Sequence, residues 1–144
     1  MKLSTRTRYG IRAMLELALN HGNGPMRLKV IAQRQDISVK YLEQLIAILR
    51  QTGFVKSLRG PKGGYILAKS PDQIKLSECF AALEGLTIGV ECLEDKTSCA
   101  RIGDCIARSL WDQVQQAMMG VLESVTLKDL IDRASNEKTL NYHI

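Results

Sequence analysis

Residues 92 to 105 read CLEDKTSCARIGDC, so Cys92, Cys99 and Cys105 bring three of the chain's four cysteines into one polar stretch. Thiolates are soft ligands suited to zinc and to iron–sulfur centres, and three of them cannot all pair off as disulfides. The intervals of six and five residues between them differ from the CxxC pairs of structural zinc sites. On the residues alone, four readings stand: iron–sulfur ligation, zinc ligation, a regulatory disulfide between two of the three, and inert thiols. The carboxylates Glu91, Glu94, Asp95 and Asp104 lie nearby as oxygen donors. His21 and His143 are isolated and read as surface residues. Cys79 is different in kind. With Leu76, Phe80 and Leu83 it recurs at helical spacing over 76–84, ending at Gly85, which makes it a small buried hydrophobe.

A second chemistry is written in charge. Residues 1–69 carry thirteen Lys and Arg against Glu16, Asp36 and Glu43, a net of +10. Residues 70–144 carry seven basic and twelve acidic residues, a net of −5. Such a division suits a polyanion-binding half joined to a half with another task. Ser–His–Asp ordering, a phosphate-binding loop and a metalloprotease motif are all missing, so the chain reads as a binding protein and not an enzyme. No apolar run approaches the ~20 residues that span a bilayer. The basic start, MKLSTRTRYGIRAM, lacks the apolar core of a secretory signal. The expectation is a cytoplasmic protein without membrane association, in a reducing compartment where clustered cysteines serve metals or redox chemistry.

The elements that position these groups can be read from periodicity. In the basic half, Tyr9, Ile11, Met14, Leu15, Ala18 and Leu19 mark the inner face of a helix from Thr5 to about His21, closed by GNGP at 22–25. A short helix follows over 28–35, with Leu28, Ile31 and Ala32 inward and a tight turn at Asp36 and Ile37. Ser38 is the expected N-cap of a helix over 38–52, whose stripe is Leu42, Leu45, Ile46 and Leu49 and whose stop is Gly53. The run FVKSLRGPKGGYILAK (54–69) then reads as strand, glycine-rich turn and strand. Two helices across a short turn followed by a basic hairpin make a winged helix-turn-helix. The start of the second helix nominates Ser38, Val39, Lys40, Tyr41 and Gln44 for the major groove. Lys40 has a donor for guanine and Gln44 the paired groups for adenine. Tyr41 reads equally well as packing or as a phosphate contact. Arg59 and Lys62, at the hairpin tip, suit a minor groove or phosphates.

In the acidic half, LTIGVECL (86–93) is short and β-rich and leads into the cysteine segment. A longer helix over about 105–124 follows. Ala107, Trp111, Val114, Met118, Val121 and Val125 form a heptad-like seam along it. That seam suits either a homodimer interface or packing against the helix that starts at Thr5. TLKD (126–129) is a capping box opening a last helix to about Ala134, before a loose tail. The fold expected is mainly α with a small β-hairpin wing. Its divisions are a winged-helix head (1–85), a cysteine segment (86–104), a dimerisation helix with a C-terminal helix (105–134) and a flexible tail (135–144).

The stretches MKLSTRTRYGIRAMLELA and ISVKYLEQLIAILRQTGFVKSLRGPKGGYILA, and the three cysteines followed by SLW at 109–111, resemble the Rrf-two family of bacterial winged-helix regulators. The likeness covers essentially residues 1–134. It implies a homodimeric transcription factor that binds a double-stranded DNA operator. It also implies that Cys92, Cys99 and Cys105 hold an iron–sulfur cluster, two-iron or four-iron, sensing iron–sulfur status, oxidants or nitric oxide. Cluster-binding members draw a fourth ligand from a histidine three residues after the last cysteine, or from an aspartate in the partner's first helix. Those positions are Arg108 and Arg8 here. Members without a cluster imply the alternative, a regulator answering to a thiol switch, a small molecule or a protein partner such as a cysteine-metabolism enzyme.

Overall fold

Ser4 starts the first helix: its hydroxyl accepts from the Thr7 N–H and caps α1 (Thr5–Leu19). The structure is a computed structural model that describes residues 3–85 and 90–142, with side chains to Glu137. The buried face of α1 comprises Thr7, Gly10, Ala13, Met14, Glu16, Leu17 and Ala18. Leu19, expected inward, is instead 51% exposed. The small residues Gly10 and Ala13 explain the difference. They let neighbouring elements approach closely, so the inner face centres on them and not on the largest side chains.

α2 (Leu28–Gln35) buries Ile31 and Ala32 and ends at Asp36, whose φ of 53° is left-handed. A short side chain tolerates that geometry. α3 (Val39–Gln51) buries the expected stripe of Leu42, Leu45, Ile46 and Leu49, each contributing ~1.5–3 kcal/mol of burial. Gly53 follows at φ 85° and turns the chain into β1 (Val55–Leu58). β2 (Gly64–Leu67) returns antiparallel, with Val55 opposite Leu67 and Leu58 opposite Gly64. After a 3₁₀ turn at Pro71–Gln73, α4 (Leu76–Leu83) buries Cys79 completely beside Leu76 and Leu83.

The acidic half departs from expectation at α5 and at the end of α7. Of the run read as β-rich, residues 86–89 lie outside the described residues, and the remainder belongs to a one-turn helix, α5 (Glu91–Glu94). α6 (Ile106–Glu123) contains no buried residue. It lies along α4 and leaves Ile106, Leu110, Trp111, Val114 and Val121 exposed. α7 (Leu127–Tyr142) runs well past Ala134, because the sequence there contains no glycine or proline to stop it.

The capping box that opens α7 is formed in both directions. Thr126 N–H donates to Asp129 Oδ2 at 2.9 Å, and Asp129 N–H donates to Thr126 Oγ1 at 3.2 Å. The helix then returns to the head. Leu127 is fully buried in the common core, α7 packs on α1, and a short antiparallel bridge joins Lys75 to Thr126. Among the described residues, no helix is long and apolar enough to cross a membrane.

Candidate nucleic-acid interface and cysteine segment

The start of α3 is capped by its own side chain. Ser38 is exposed, in extended conformation, and its Oγ accepts from Tyr41 N–H at 3.0 Å. That bond satisfies one of the donors left free at a helix start. Lys40 and Gln44 stand one turn apart and exposed, and Val39 is 40% exposed. Tyr41 is half-buried, its ring meeting Tyr9 edge-on with centroids 6.2 Å apart at 88°. Packing is thus an observed role of Tyr41. Behind the pair, the Arg12 guanidinium lies 5.1 Å from the Tyr9 ring centre. Arg12 also donates to Gln35 Oε1 at 2.6 Å, Gln35 donates to Glu16 Oε1 at 2.6 Å, and Arg34 pairs with Glu16 at 3.3 Å. This chain of contacts joins α1 to both α2 and α3. Sequence reading missed it, since nothing in local spacing pairs Tyr9 with Tyr41.

Arg59 and Lys62 are exposed at the hairpin tip, as expected. Two four-residue strands are marginal alone, but a third segment supports them. Met26 and Tyr65 exchange backbone hydrogen bonds at 2.9 and 2.8 Å. Gly64 is essential to this approach: its φ is 153°, and a Cβ there would lie 2.6 Å from the Met26 carbonyl oxygen.

At the other end of the head, Glu84 clamps the beginning of α1. Its Oε2 accepts from Ser4 Oγ at 2.6 Å, from Ser4 N–H at 3.3 Å and from the Thr7 hydroxyl. The Ser4 hydroxyl first, and the Thr7 hydroxyl next, hold its carboxyl below the usual carboxylate range. Arg6 Nε reinforces the junction by donating to Leu83 O at 2.7 Å.

All four cysteines are free thiols. Cys79 stays protonated: burial first, and the neighbouring Glu78 charge second, push it up to about 12. The other three differ in setting. Cys92 is half-buried on α5, Cys99 is exposed in the turn that follows, and Cys105 is exposed at the N-cap position of α6. Asp95 organises the turn, accepting from Thr97 Oγ1 at 2.6 Å and Thr97 N–H at 2.8 Å. Those bonds hold the Asp95 carboxyl below its usual range. Arg108, in the first turn of α6, donates from Nε to the Cys92 carbonyl at 3.3 Å.

The donor chemistry fits an iron–sulfur cluster, with three accessible, unpaired soft ligands on one short segment. The geometry is not preassembled. Among the described residues, no group of three His, Cys, Asp or Glu side chains stands close enough to hold a metal ion. The segment must therefore close to make a ligand set.

A capped, exposed helix start beside a braced basic hairpin defines a winged helix-turn-helix DNA-binding protein. Residues 3–133 match the family model described as Rrf2, iron-dependent transcriptional regulator. The chain belongs to the Rrf2 family and is a DNA-binding transcriptional regulator. It is 44% identical to protein rrf2 of Nitratidesulfovibrio vulgaris over 94% of this chain and 90% of that protein. Likeness to CymR, the global cysteine regulator of Bacillus subtilis, is equally high at 44% identity. The CymR structure superposes with a TM-score of 0.80 over 92% of this chain and 98% of its own. The structure of T. potens IscR is 42% identical, with a TM-score of 0.77 over 93% of this chain and 88% of that one.

Proposed function

We propose that this regulator acts as a homodimer whose affinity for its operator depends on whether Cys92, Cys99 and Cys105 hold an iron–sulfur cluster. The observation that carries the reading is the position of the three thiols. They occupy the segment between α4, which is clamped to α1 through Glu84, and α6, which exposes an unpartnered apolar stripe. The family's description as iron-dependent supports it.

In this reading the head (1–85) binds DNA, the segment (86–104) responds to the signal and α6 makes the dimer. Ser38, Val39, Lys40, Tyr41 and Gln44 face the major groove, and Arg59 and Lys62 meet the minor groove or phosphates. When bound, an iron–sulfur cluster supplies a metal centre that oxidants, nitric oxide or iron shortage can dismantle. The chain's own residues do the rest. Drawing the thiols together orders residues 90–105 between two anchors, the Glu84 contacts before it and the Arg108 bond to the Cys92 carbonyl. A change in α6 alters the distance between two reading heads, which must sit about 34–36 Å apart on successive grooves. The coupling required is ~1–3 kcal/mol.

Anaerobic, iron-replete purification tests the reading. A brown protein with visible absorption, together with operator binding that changes when the colour is bleached, is the expected result. Replacement of Cys92, Cys99 and Cys105 by Ala should give a colourless, folded dimer with constant DNA affinity. A triple variant that still responds to iron or oxidants would overturn the cluster mechanism.

A second reading has support from the likeness to CymR and from the separated thiols. In it, the same segment carries a thiol switch, or the effector is a protein partner or a small molecule. A colourless wild-type protein whose DNA binding shifts with thiol oxidation or on adding a partner would favour it.

A further inference from the structure

Arg27 belongs to the basic half, yet its position before α2 keeps it out of the set of helix-start and hairpin-tip residues assigned to DNA. Its guanidinium has a different occupation. Arg27 Nη2 donates to the carbonyl of Pro61 at 2.6 Å, reaching across 34 residues of sequence. Pro61 sits at the wing tip, with Arg59 two residues before it and Lys62 directly after. The backbone of the preceding residue, Met26, already pairs with Tyr65 on β2, one residue past the Leu58–Gly64 pair that precedes the turn. Backbone pairing therefore holds the strand that leaves the turn, and one side chain reaches the turn itself. Within the tip, Gly63 N–H donates to the Gly60 carbonyl at 2.9 Å, which closes the turn but does not attach it to the head.

We propose that Arg27 is a positioning residue for DNA binding, a tether that presents Arg59 and Lys62 on an already ordered tip. A tip free to move would lose conformational freedom on binding, at the expense of affinity. The proposal rests on the reading of Arg59 and Lys62 as DNA contacts. It is distinct from the simpler role of a phosphate ligand, for which the remaining guanidinium donors would serve.

Two measurements on the full-length protein separate these. The first is amide hydrogen exchange at residues 59–63 in wild type and Arg27→Met. The second is operator affinity across a salt series for Arg27→Met, Arg59→Ala/Lys62→Ala and the triple variant. A tether predicts faster exchange confined to the wing in Arg27→Met. It also predicts an affinity loss of about three- to tenfold that disappears when Arg59 and Lys62 are already alanine. A phosphate ligand predicts unchanged exchange, the same loss on both backgrounds and a salt slope reduced by about one; that result overturns the proposal and leaves the wing reading intact. If Arg59→Ala/Lys62→Ala binds DNA like wild type, the wing reading fails and the positioning role falls with it, whatever the exchange at the tip.

Discussion

Ser38 shows how one hydroxyl serves two ends. Its cap on Tyr41 N–H stabilises α3, and its position faces the proposed major groove. Ser38→Ala should lower stability by about 1 kcal/mol, measured by denaturant unfolding. Ser38→Asp separates the roles, since a carboxylate also caps and suits a helix start but repels phosphates. Unfolding should then be near wild type while operator binding collapses. Glu84 gives a pH signature. Its folded carboxyl titrates below the ordinary 4.5, held there first by the Ser4 hydroxyl. The stability it contributes is therefore complete above the unfolded-state value and lost as pH falls through the lowered one. Glu84→Gln should be less stable at neutral pH and have a shallower acid limb in a pH series of melting curves. Neither the Glu84 contacts nor the Arg27 bond was legible from the sequence. Each bond joins residues tens of positions apart, whereas the Ser38 cap and the Thr126–Asp129 box are local and announce themselves.

The elements of the head were legible because periodicity and stops agree there. Asp36, Ser38 and Gly53 punctuate α2 and α3, and the apolar stripe of α3 is buried as its spacing requires. α7 was read too short because a polar, helix-compatible stretch without a breaker has no visible end. α6 was legible as a helix, but its seam left the partner open. With α6 lying along α4, Trp111 and Val114 remain 41% and 40% exposed, Val121 64% and Ile106 88%. An apolar row of this extent marks an interaction surface, which the proposed dimer would cover. Val114→Glu/Val121→Glu should convert the dimer to monomer in sedimentation velocity. The head should keep its melting profile, because α6 places no residue in the buried core.

At the scale of the whole molecule, the +10 of residues 1–69 and the −5 of residues 70–144 divide the chain by charge, which suits the proposed separation of DNA binding from assembly and sensing. The division was plain in the sequence, and so was the identity of the thiols. Their arrangement was not, because spacing along a chain says little about whether a polar turn will bring three sulfurs together. The structure leaves Cys92 half-buried and Cys99 and Cys105 exposed, so any ligand set costs the ordering of the segment between them. If dimerisation is what turns two modest heads into one operator-specific reader, electrostatics provides a direct check. Each head should release its own set of counterions, so the slope of log K against log salt counts the heads engaged. Wild type on a two-fold symmetric operator should give about twice the slope of Val114→Glu/Val121→Glu on a single half-site. On the full operator, that monomeric variant should keep the half-site slope and lose most of the affinity. Equal slopes for the two proteins would mean that one head carries all the contacts, and the paired-head account of this regulator would have to be abandoned.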